Sequence, residues 1–505
     1  MPALLAIPPF PGARLPAFAV PGEAGADARA EAGSDDASRL LAALAEHRVG
    51  GCYWGRQVAG PAQLDATNWP LDADPWCLLD AAEAVALPAD DGRCVLALAA
   101  NKPLTLVGAS AGQACDASAL VQAHLTRWQW RDPFNGAVIS ALEAIELCGF
   151  WRRLIDSNRP LVAALGFAHW KKPTVAPLLW NGRETPFRRS LPQLAPQDVV
   201  ALWRSRVAPA DNAKLAGQPV LEVEDGFIRS AGLGADCVPP LSVIVDQRGV
   251  HFDPTRPSDL EDLLEHGTFA PALLERAAAL RAAIVAAGIS KYEQGTAEVL
   301  PRPGGARRHV LVPGQVEDDR AVTSGGALSS NLELLRRARA SAGPDAFVIY
   351  KPHPDVLAGH RRGAIAAGEA QKWADAIETE ASMAGLIEMV DELHVNSSLA
   401  GFEALLRGKQ VTVHGVPFYA GWGLTTDLGE VPARRTARRS IDELVAAALL
   451  LYPRYLDPET GLPCPAEVLV ERLTGQQVRL APNARAFVAI RRLAGRTNRL
   501  LGRGG

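Results

Sequence analysis

The sequence predicts an α/β fold built on open, doubly wound parallel sheets. Five short apolar runs end in polar or Gly/Pro loops and are typical of buried strands: VLEVEDGF, LSVIVD, HVLVPGQ, FVIYKPH and QVTVHG. Amphipathic stretches lie between them, such as SDLEDLLEHG, whose Ser258 opens a capping-box pattern. Strands that alternate with helices over about 300 residues favour sheets whose ligands bind at the carboxyl ends of the strands. The loops at those ends are therefore where we look for chemistry.

Length and composition indicate a globular protein of several domains. The 505 residues correspond to about three domains at roughly 150 residues each. Hydrophobic residues make up 48% and charged residues 21%, which excludes a chain disordered throughout. The net charge of −4 gives no basic field, so we expect no nucleic-acid partner. The seven cysteines form no CxxC pair, which argues against a zinc ribbon or a disulfide scaffold and favours the reducing cytoplasm.

The first residues predict neither a signal peptide nor a packed domain. MPALLAIPPFPGARLPAF has no basic start, and prolines interrupt its apolar run. Residues 1–38 are rich in Pro, Gly, Ala and Asp without a period, which predicts a loose lead-in. No run reaches 18 apolar residues, and the candidate Leu444–Leu451 has the size of a core helix. We therefore expect a soluble cytoplasmic protein that is free to sit on a membrane surface.

Two segments share a pattern that suggests an internal repeat. Residues 94–108 and 401–415 each read as a helix, a turn that contains Lys, and a buried strand. Aligned at Gly108 and Gly415, they share Ala, Leu, Lys and Thr at matching places. The repeat is either a degenerate remnant of a duplication or a chance similarity of two helix–turn–strand units. Between the copies, residues 132–170 carry apolar positions at three-and-four spacing and predict a mostly helical segment.

The first chemical motif is EDGFIRS, which follows the predicted strand VLEV. Glu224, Asp225 and Arg229 surround a glycine at a strand end. Two carboxylates and a guanidinium in that position suit acid/base chemistry or the binding of sugar hydroxyls. The alternative is a turn with a surface ion pair.

The second motif, VPGQVEDDRAV, places three acids directly after a buried strand. Glu317, Asp318 and Asp319 repel one another, which raises at least one pKa unless a cation compensates. The run indicates a metal site, a nucleophile, or a solvated helix start stabilised by the helix dipole.

The third motif, YKPHPDV, holds two cationic side chains on a stiff loop. Prolines fix the backbone on both sides of His353, and Lys351 precedes it. Such a pair suits a phosphate leaving group. The alternative is an exposed loop histidine.

The fourth motif, NSSLAGFEALLRGKQVTVHGVPFYAGWGLT, opens a helix with two serines. Ser397 and Ser398 make either an anion seat or an ordinary N-cap, and Glu403 lies one turn further at a distance suited to a ribose diol. The later loop, with Tyr419 and Trp422, is suited to close over a flat base or a sugar. The chain has no P-loop, HExxH, GxSxG or GxGxxG signature, so ATPase, zincin, hydrolase and dinucleotide-binding functions lose support.

Taken together, these loops resemble the capsular-polysaccharide Kdo transferases of the KpsC/KpsS family. They appear in the family's order, with GLGAD and RYLDPETG at the expected places, over roughly residues 130–475. The resemblance implies two Rossmann-like lobes in a GT-B-like, sialyltransferase-type fold. It implies CMP-β-Kdo as donor, β-Kdo linkages formed with retention, a lipid-linked Kdo acceptor, and neither cofactor nor metal.

The resemblance also implies a donor-binding set. His353 and Pro354, with Lys351, would hold the CMP phosphate, Ser397 and Ser398 would form its seat, and Glu403 would take the ribose.

For the chemistry, the resemblance implies Asp319 as the catalytic Asp, with Asp318 the lesser candidate, and Glu224 as general acid/base. Retention suits a double displacement through an Asp319–Kdo adduct, our mechanistic hypothesis. The possible substrate contacts are Asp225, Arg229, Tyr419 and Trp422.

The chain departs from the family's two-module pattern, which suggests how it is divided. Its first repeat copy has Leu96 in place of Glu403, and Asp90 and Asp91 in place of the serine pair. We therefore predict an inactive remnant of a first module. The predicted ranges are a flexible lead-in at 1–38, the remnant at 39–130, a helical connector and N-terminal lobe at 131–300, the nucleotide-binding lobe at 301–475, and a basic amphipathic tail at 476–505.

The basic tail predicts a peripheral contact with the anionic inner face of the inner membrane, and its alternative is packing on the other lobe. Other capsule assembly proteins are further expected partners. Two other functions stay open: a catalytically silent capsule assembly or export partner, and another two-lobed nucleotide-sugar enzyme such as a UDP-sugar epimerase.

Overall fold

A computed structural model describes residues 3–22, 34–108, 116–229, 238–290, 300–359 and 361–475. The GLGAD segment and the predicted basic tail lie outside the described residues. The chain divides into two compact units. Unit 1 comprises Met1–Val162, Ala176–Pro186 and Glu459–Pro463, and unit 2 comprises Ala163–Val175, Phe187–Pro458 and Cys464–Gly505.

The described strands are short, and each has two to six residues. They are β1 Ala19–Pro21, β2 Gln63–Asp65, β3 Ala84–Pro88, β4 Leu104–Val107, β5 Trp128–Arg131, β6 Val138–Ile139, β7 Leu161–Leu165, β8 Val199–Leu202, β9 Val220–Asp225, β10 Ser242–Asp246, β11 His309–Pro313, β12 Phe347–Lys351, β13 Ala376–Ile377, β14 Glu392–Val395, β15 Gln410–Val413, β16 Thr426–Asp427, β17 Pro453–Leu456 and β18 Pro463–Cys464.

The helices vary more in length. They are α1 Ser34–His47, α2 Pro75–Ala81, α3 Arg93–Ala99, α4 Ala117–Val121, α5 Ala141–Asn158, α6 Lys172–Val175, α7 Pro209–Lys214, α8 Asp259–His266, α9 Pro271–Ala286, α10 Arg320–Gly325, α11 Asn331–Ala342, α12 Pro354–Leu357, α13 Ala367–Ala370, α14 Met383–Met389, α15 Leu399–Leu406, α16 Ile441–Val445 and α17 Ala466–Gly475. No helix among the described residues is both long and apolar enough to cross a bilayer.

The described part of the N-terminal segment is packed, which differs from the predicted loose lead-in. Leu5, Phe10 and Phe18 are buried, and the Phe10 ring lies 5.1 Å from the Trp180 ring, centroid to centroid. The segment buries single apolar side chains without regular secondary structure over most of its length. For that reason it shows no period in the sequence.

Unit 1 contains a parallel sheet in the order β2-β3-β4, with α2 and α3 as its connections. The series α2–β3–α3–β4 repeats the series α14–β14–α15–β15 of unit 2. Both copies end their second helix alike, because Lys102 N donates to Ala97 O and Lys409 N donates to Ala404 O. The two segments therefore share the order of four elements, and their origin in a duplication stays a prediction.

One detail of the repeat differs from its prediction. The strand of the first copy, β4, is not buried: its residues alternate between intermediate and exposed, because it is an edge strand of a three-stranded sheet. In the second copy, β15 is buried from Val411 to Val413 between two neighbouring strands.

Unit 2 is built on two six-stranded sheets. The first has the order β18-β17-β10-β9-β8-β7, with β8 and β9 parallel and β10 antiparallel to both β9 and β17. The second has the order β13-β12-β11-β14-β15-β16 and is parallel throughout. Its connections run from β11 towards β12 on one side and towards β14 on the other. The carboxyl ends of β11 and β14 therefore form a topological switch point.

Apolar packing explains why the second sheet forms. Val310 and Val348 of neighbouring strands pack with Leu334 and Leu335 of α11 in one buried cluster. Ser330 caps α11, because its side chain accepts from Glu333 N. Together these contacts fix the strand ends that carry the polar loops.

The α/β fold and the five predicted strands are confirmed as β9, β10, β11, β12 and β15. The prediction of parallel sheets throughout is wrong for the first sheet, because β10 is antiparallel to both β9 and β17. Ser258 caps α8 by accepting from Glu261 N, but the Glu261 side chain pairs with arginines instead of completing a capping box. In the segment 132–170 the long helix is limited to α5. Leu444–Leu449 are buried, as expected for a core helix.

Candidate functional site

Unit 2 contains a cleft of about 600 Å³, lined by loops that follow the strands of both sheets. Gln315, His353 and Ser397 follow β11, β12 and β14 of the parallel sheet. Trp170, Trp203 and Glu224 come from the carboxyl ends of β7, β8 and β9. Two sets of strand ends therefore share one polar cleft, as the sheet topology predicts.

At the switch point, an amide and a serine hold the two loops together. Gln315 Oε1 accepts from Ser397 N at 2.9 Å, and Gln315 Nε2 donates to Ser397 Oγ at 3.3 Å. Ser397 Oγ donates to Ala321 O at 2.9 Å. The loops after β11 and β14 thus have a fixed spacing on this wall.

Ser398 begins helix α15 at the same wall. Its Oγ accepts from Ala400 N at 3.2 Å, and its carbonyl oxygen accepts from the buried Tyr419 hydroxyl. His353 plays the same part for the short helix α12, where its Nδ1 accepts from Asp355 N at 3.1 Å. The ordinary N-cap geometry of both residues is present, and both also line the cleft.

Two buried asparagines support these loops from behind. Asn331 Nδ2 donates to Gln315 O at 2.7 Å and to Gly363 O at 2.9 Å. Asn396 Oδ1 accepts from Ala327 N at 3.0 Å, and Asn396 Nδ2 donates to Leu328 O at 2.9 Å. Each asparagine replaces water for backbone groups that no strand or helix satisfies.

A buried ion network forms the opposite wall. Lys171 Nζ lies 3.1 Å from Asp225 Oδ1 and 3.2 Å from the centre of the Trp203 ring. Asp225 Oδ2 lies 2.9 Å from Arg229 Nε. Lys171 is 7% exposed, and its burial lowers the pKa of the ammonium group to about 8 although Asp225 opposes this shift. The predicted surface ion pair of EDGFIRS is instead a network whose cations are buried.

Glu224 lies beside this network and contacts a guanidinium of the acidic loop. Arg320 Nη1 donates to Glu224 Oε1 at 2.6 Å. Burial raises the pKa of Glu224 to about 7, while the Arg320 charge acts in the opposite direction. A carboxylate with such a pKa suits proton transfer near neutral pH.

The three acids of the acidic loop do not point to one place. Glu317 Oε1 accepts from Asn331 N at 2.8 Å. Arg361 stands between the other two, 3.3 Å from Asp318 Oδ1 and 3.6 Å from Asp319 Oδ1. Asp319 also caps α10 by accepting from Ala321 N. The cation and the backbone donor compensate the repulsion that the run of acids predicts, and Asp319 lines the cleft.

The structure brings together part of the predicted site. Six of the predicted residues line the cleft: Glu224, Asp225, Asp319, His353, Ser397 and Ser398. Pro354 is the first residue of α12, next to His353. Asp318 faces Arg361 beside the cleft without lining it.

Other predicted residues lie behind the cleft. Lys351 is buried, and its Nζ donates to Ala381 O at 2.6 Å. Glu403 is buried in α15. Burial raises the pKa of the neighbouring Tyr419, and the Glu403 charge raises it further. Trp422 is fully buried, and its Nε1 donates to Phe418 O at 2.8 Å. Tyr419, Trp422 and Arg229 therefore support the walls from within, and their direct contact with a substrate stays a prediction.

Sequence reasoning missed several residues of the cleft. Lys171 and Trp203 belong to loops that carry no recognised motif, and Arg206 is an exposed residue of a short 3-10 turn. Gln315 lies inside VPGQVEDD, and its position directly after a buried strand is a signal that could have identified it. Arg361 is distant in sequence from the acids that it contacts, so no local pattern indicates it. Among the described residues, no group of three His, Cys, Asp or Glu side chains is placed to hold a metal ion.

The fold and the site define an α/β protein with a polar cleft. Glu224 and Asp225 come from one sheet, and Asp319, His353 and the serine pair come from loops of the other. Residues 198–455 match the family described as "Capsule polysaccharide biosynthesis protein". The chain belongs to this family, which confirms the resemblance found in its sequence.

Two relatives and one solved structure illustrate the similarity. The capsule polysaccharide modification protein LipA of Neisseria meningitidis serogroup A is 36% identical over 363 residues, which is 70% of this chain and 51% of LipA. The lipopolysaccharide-processing protein LpsZ of Rhizobium meliloti is 41% identical over 326 residues, 62% of this chain and 74% of LpsZ. The chain thus spans about half the length of LipA.

The solved structure is Thermosulfurimonas dismutans KpsC, a beta Kdo 2,4 transferase. It is 33% identical and superposes with a TM-score of 0.53 over 62% of this chain and 98% of that one. The similarity therefore concerns nearly the whole of the KpsC structure and about two thirds of this chain.

Proposed function

We propose that the chain is a retaining glycosyltransferase that moves β-Kdo from CMP-β-Kdo onto a lipid-linked Kdo oligosaccharide during capsular polysaccharide synthesis. The observation that carries this proposal is that Asp319, in the loop after β11, and Glu224, at the end of β9, line the same cleft as His353 and the serine pair. The family membership and the similarity to a beta Kdo 2,4 transferase support the sugar and the polymer.

The donor would lie on the wall formed by the parallel sheet. Ser398 is the N-cap of the eight-residue helix α15, which follows β14, and His353 follows β12 on the other side of β11 in the same sheet. Both residues line the cleft. Helix N-termini and imidazole groups are favourable surroundings for a phosphate. The Gln315–Ser397 pair holds the loop after β11 to the loop after β14, so the serine side of this seat would be preformed for the CMP phosphate.

The reaction would proceed in two displacements. A carboxylate oxygen of Asp319 attacks the anomeric carbon of Kdo, and CMP leaves with the electron pair of the broken C–O bond. The acceptor hydroxyl then gives its proton to Glu224 and attacks the same carbon, which releases Asp319. Two inversions give net retention, and the two carboxylates have separate parts.

We further propose that the two six-stranded sheets of unit 2 are the two lobes of a GT-B-like, sialyltransferase-type fold. The region 39–130 would be an inactive remnant of a first module. In support, Asp91 takes the place of Ser398, and its Oδ1 accepts from Arg93 N as Ser398 Oγ does from Ala400 N. Arg93 also neutralises that carboxylate, so a carboxylate and its ion-pair partner stand where the second copy offers neutral donors.

We place the protein in the cytoplasm, at the inner face of the inner membrane, where a lipid-linked acceptor is present. Such an acceptor, and further capsule assembly proteins, would be its partners. We further propose that the reaction uses no cofactor and no metal ion.

The proposal is tested by an in vitro transfer assay with CMP-Kdo generated in place and a short Kdo-terminated lipid acceptor. We expect a mass gain of one Kdo for the wild type and none for Asp319→Ala. Asp318→Ala is the matched control, because Asp318 has a similar exposure and the same Arg361 partner but does not line the cleft. It is expected to keep most of the activity.

The other outcomes point to other functions. Full activity of Asp319→Ala would refute the adduct mechanism. A protein stabilised against heat by UDP but not by CMP would indicate another nucleotide-sugar enzyme. No transfer together with no effect of CMP would favour a catalytically silent assembly partner.

A further inference from the structure

We propose that Arg320 is a positioning residue that connects the acidic loop to strand β9 and keeps Glu224 in its carboxylate form for proton transfer. This inference rests on the proposed function, because it takes Glu224 as the base that receives the acceptor's proton. Arg320 itself does not line the cleft. It would act through Glu224, which it contacts, and Asp319, which precedes it in the chain.

The position of Arg320 in the chain is the first argument. It directly follows Asp319 and is the first residue of α10, so its backbone continues the turn that holds the proposed nucleophile. Its side chain extends to the other sheet. Arg320 Nη1 donates to Glu224 Oε1 at 2.6 Å, and Nη2 lies 3.5 Å from Glu222 Oε2. One residue therefore links the loop of Asp319 with the strand of Glu224.

The surroundings of the guanidinium hold it in this place. Its carbon Cζ lies 5.1 Å from the centre of the Phe252 ring, which is a cation–π contact. The side chain is 31% exposed, and that of Glu224 is 17% exposed. Such a partly desolvated pair is screened less by salt than a surface pair. The ring and the two carboxylates together leave Arg320 little freedom to turn away.

The charges that face Glu224 explain why this contact matters. Asp225 and Glu222 disfavour its ionised form, while Lys171 and Arg320 favour it. Lys171 is bound directly to Asp225, however, and Glu222 is paired with Arg204 at 2.9 Å and with Arg256. Arg320 is therefore the cation in direct contact with Glu224 among the described residues.

The Arg320–Glu224 contact must favour the ionised form of Glu224 and still allow this carboxylate to accept a proton. A general base must be ionised when the acceptor hydroxyl arrives, and burial alone works against ionisation. The ion pair with Arg320 restores part of the carboxylate population. Once Glu224 has received the proton, its carboxyl group is neutral while Arg320 keeps its positive charge. The proton can then pass from Glu224 to water in the cleft.

The test compares pH profiles of kcat/KM for the wild type, Arg320→Met, Arg320→Lys and Arg256→Met. Met keeps the apolar stem of the side chain but removes the charged guanidinium. We expect the acidic limb of the Arg320→Met profile to move to higher pH by about one unit, which is a tenfold loss of rate below the wild-type midpoint. At high pH the loss of rate should largely disappear. Because Lys keeps the positive charge, the acidic limb of Arg320→Lys should lie close to that of the wild type.

Arg256→Met is the matched control, because Arg256 belongs to the same cluster but contacts Glu222 and Asp253. Its acidic limb should stay within a few tenths of a unit, and circular dichroism shows whether each variant is folded. In a Glu224→Gln background, Arg320→Met should add no further pH dependence. An unshifted limb in Arg320→Met, or an equal shift in Arg256→Met, overturns the inference.

A second readout separates this inference from the proposed function. Infrared difference spectra between wild type and Glu224→Gln report the protonation of this carboxyl without any substrate. We expect its midpoint to rise by about one unit in Arg320→Met and not in Arg256→Met. If the wild type transfers no Kdo but this shift occurs, the proposed function fails and the positioning of Glu224 by Arg320 stands. If transfer occurs and the midpoint does not move, the inference fails alone.

Discussion

The substitution Asn396→Ala should destabilise unit 2 by about 3 kcal/mol. Asn396 is 5% exposed. Its Oδ1 accepts from Ala327 N at 3.0 Å and from Leu328 N at 3.3 Å, and its Nδ2 donates to Leu328 O at 2.9 Å. Each bond contributes about 1 kcal/mol net, and the backbone groups left without a partner add to the loss. These groups connect the chain after α10 with the loop that holds the serine pair.

Urea unfolding followed by tryptophan fluorescence measures this loss as a lower transition midpoint. The control is Asn212→Ala, an exposed asparagine of the same unit, which should stay within about 0.5 kcal/mol of the wild type. Asn396→Asp should also destabilise the protein, because a carboxylate oxygen would then face the Leu328 carbonyl. A loss below about 1 kcal/mol for Asn396→Ala would refute the view that its side chain is the structural link between the two segments.

Three further expectations concern activity and stability. Because Glu224 must be ionised to accept a proton and its pKa is raised to about 7, wild-type transfer should rise with pH through that value; a rate that falls there contradicts its part as the base. Arg206 is exposed and lines the cleft on the wall away from the serines, so Arg206→Gln should raise the KM of the acidic acceptor several-fold in steady-state assays and leave CMP affinity in calorimetry unchanged; a change in CMP affinity alone would place Arg206 at the donor. Phe10→Ala should cost about 3–5 kcal/mol in denaturant unfolding, whereas Leu15→Ala, at a residue that is 54% exposed, should cost under about 0.5; equal effects would mean that the N-terminal segment is not packed as described.

The strands and the loops that follow them could be predicted because each is specified by a few neighbouring residues. A buried strand of a parallel sheet needs only a short apolar run, and the sheet itself brings the carboxyl ends together. For that reason the sequence predicts that His353, Ser397 and Glu224 lie at the carboxyl ends of strands. The same logic predicts an acidic run after β11, whereas the choice of Asp319 within that run comes from the family resemblance.

The remaining parts of the site depend on contacts between residues far apart in sequence. Lys171, which follows β7, contacts the ring of Trp203, which follows β8. Arg361 contacts Asp318 of the acidic loop although α11 and β12 lie between them in the sequence. No local pattern records such contacts. The sequence also suggested exposed roles for Tyr419 and Trp422, because it cannot distinguish an aromatic loop that covers a ligand from one that packs inward.

Unit 1 is made of three chain segments, the last of which is Glu459–Pro463. This division affects how the unit forms while the protein is synthesised on the ribosome. The Trp151 indole of α5 donates to Pro463 O, and these residues are 312 positions apart in the chain. At roughly 5–20 residues per second, about 15–60 seconds pass between the synthesis of the donor and that of its acceptor. During this interval Trp151 and its apolar neighbours lack the segment that contains Pro463. Chaperones that shield nascent apolar surface would therefore act on this unit longest, although most of its residues are made first.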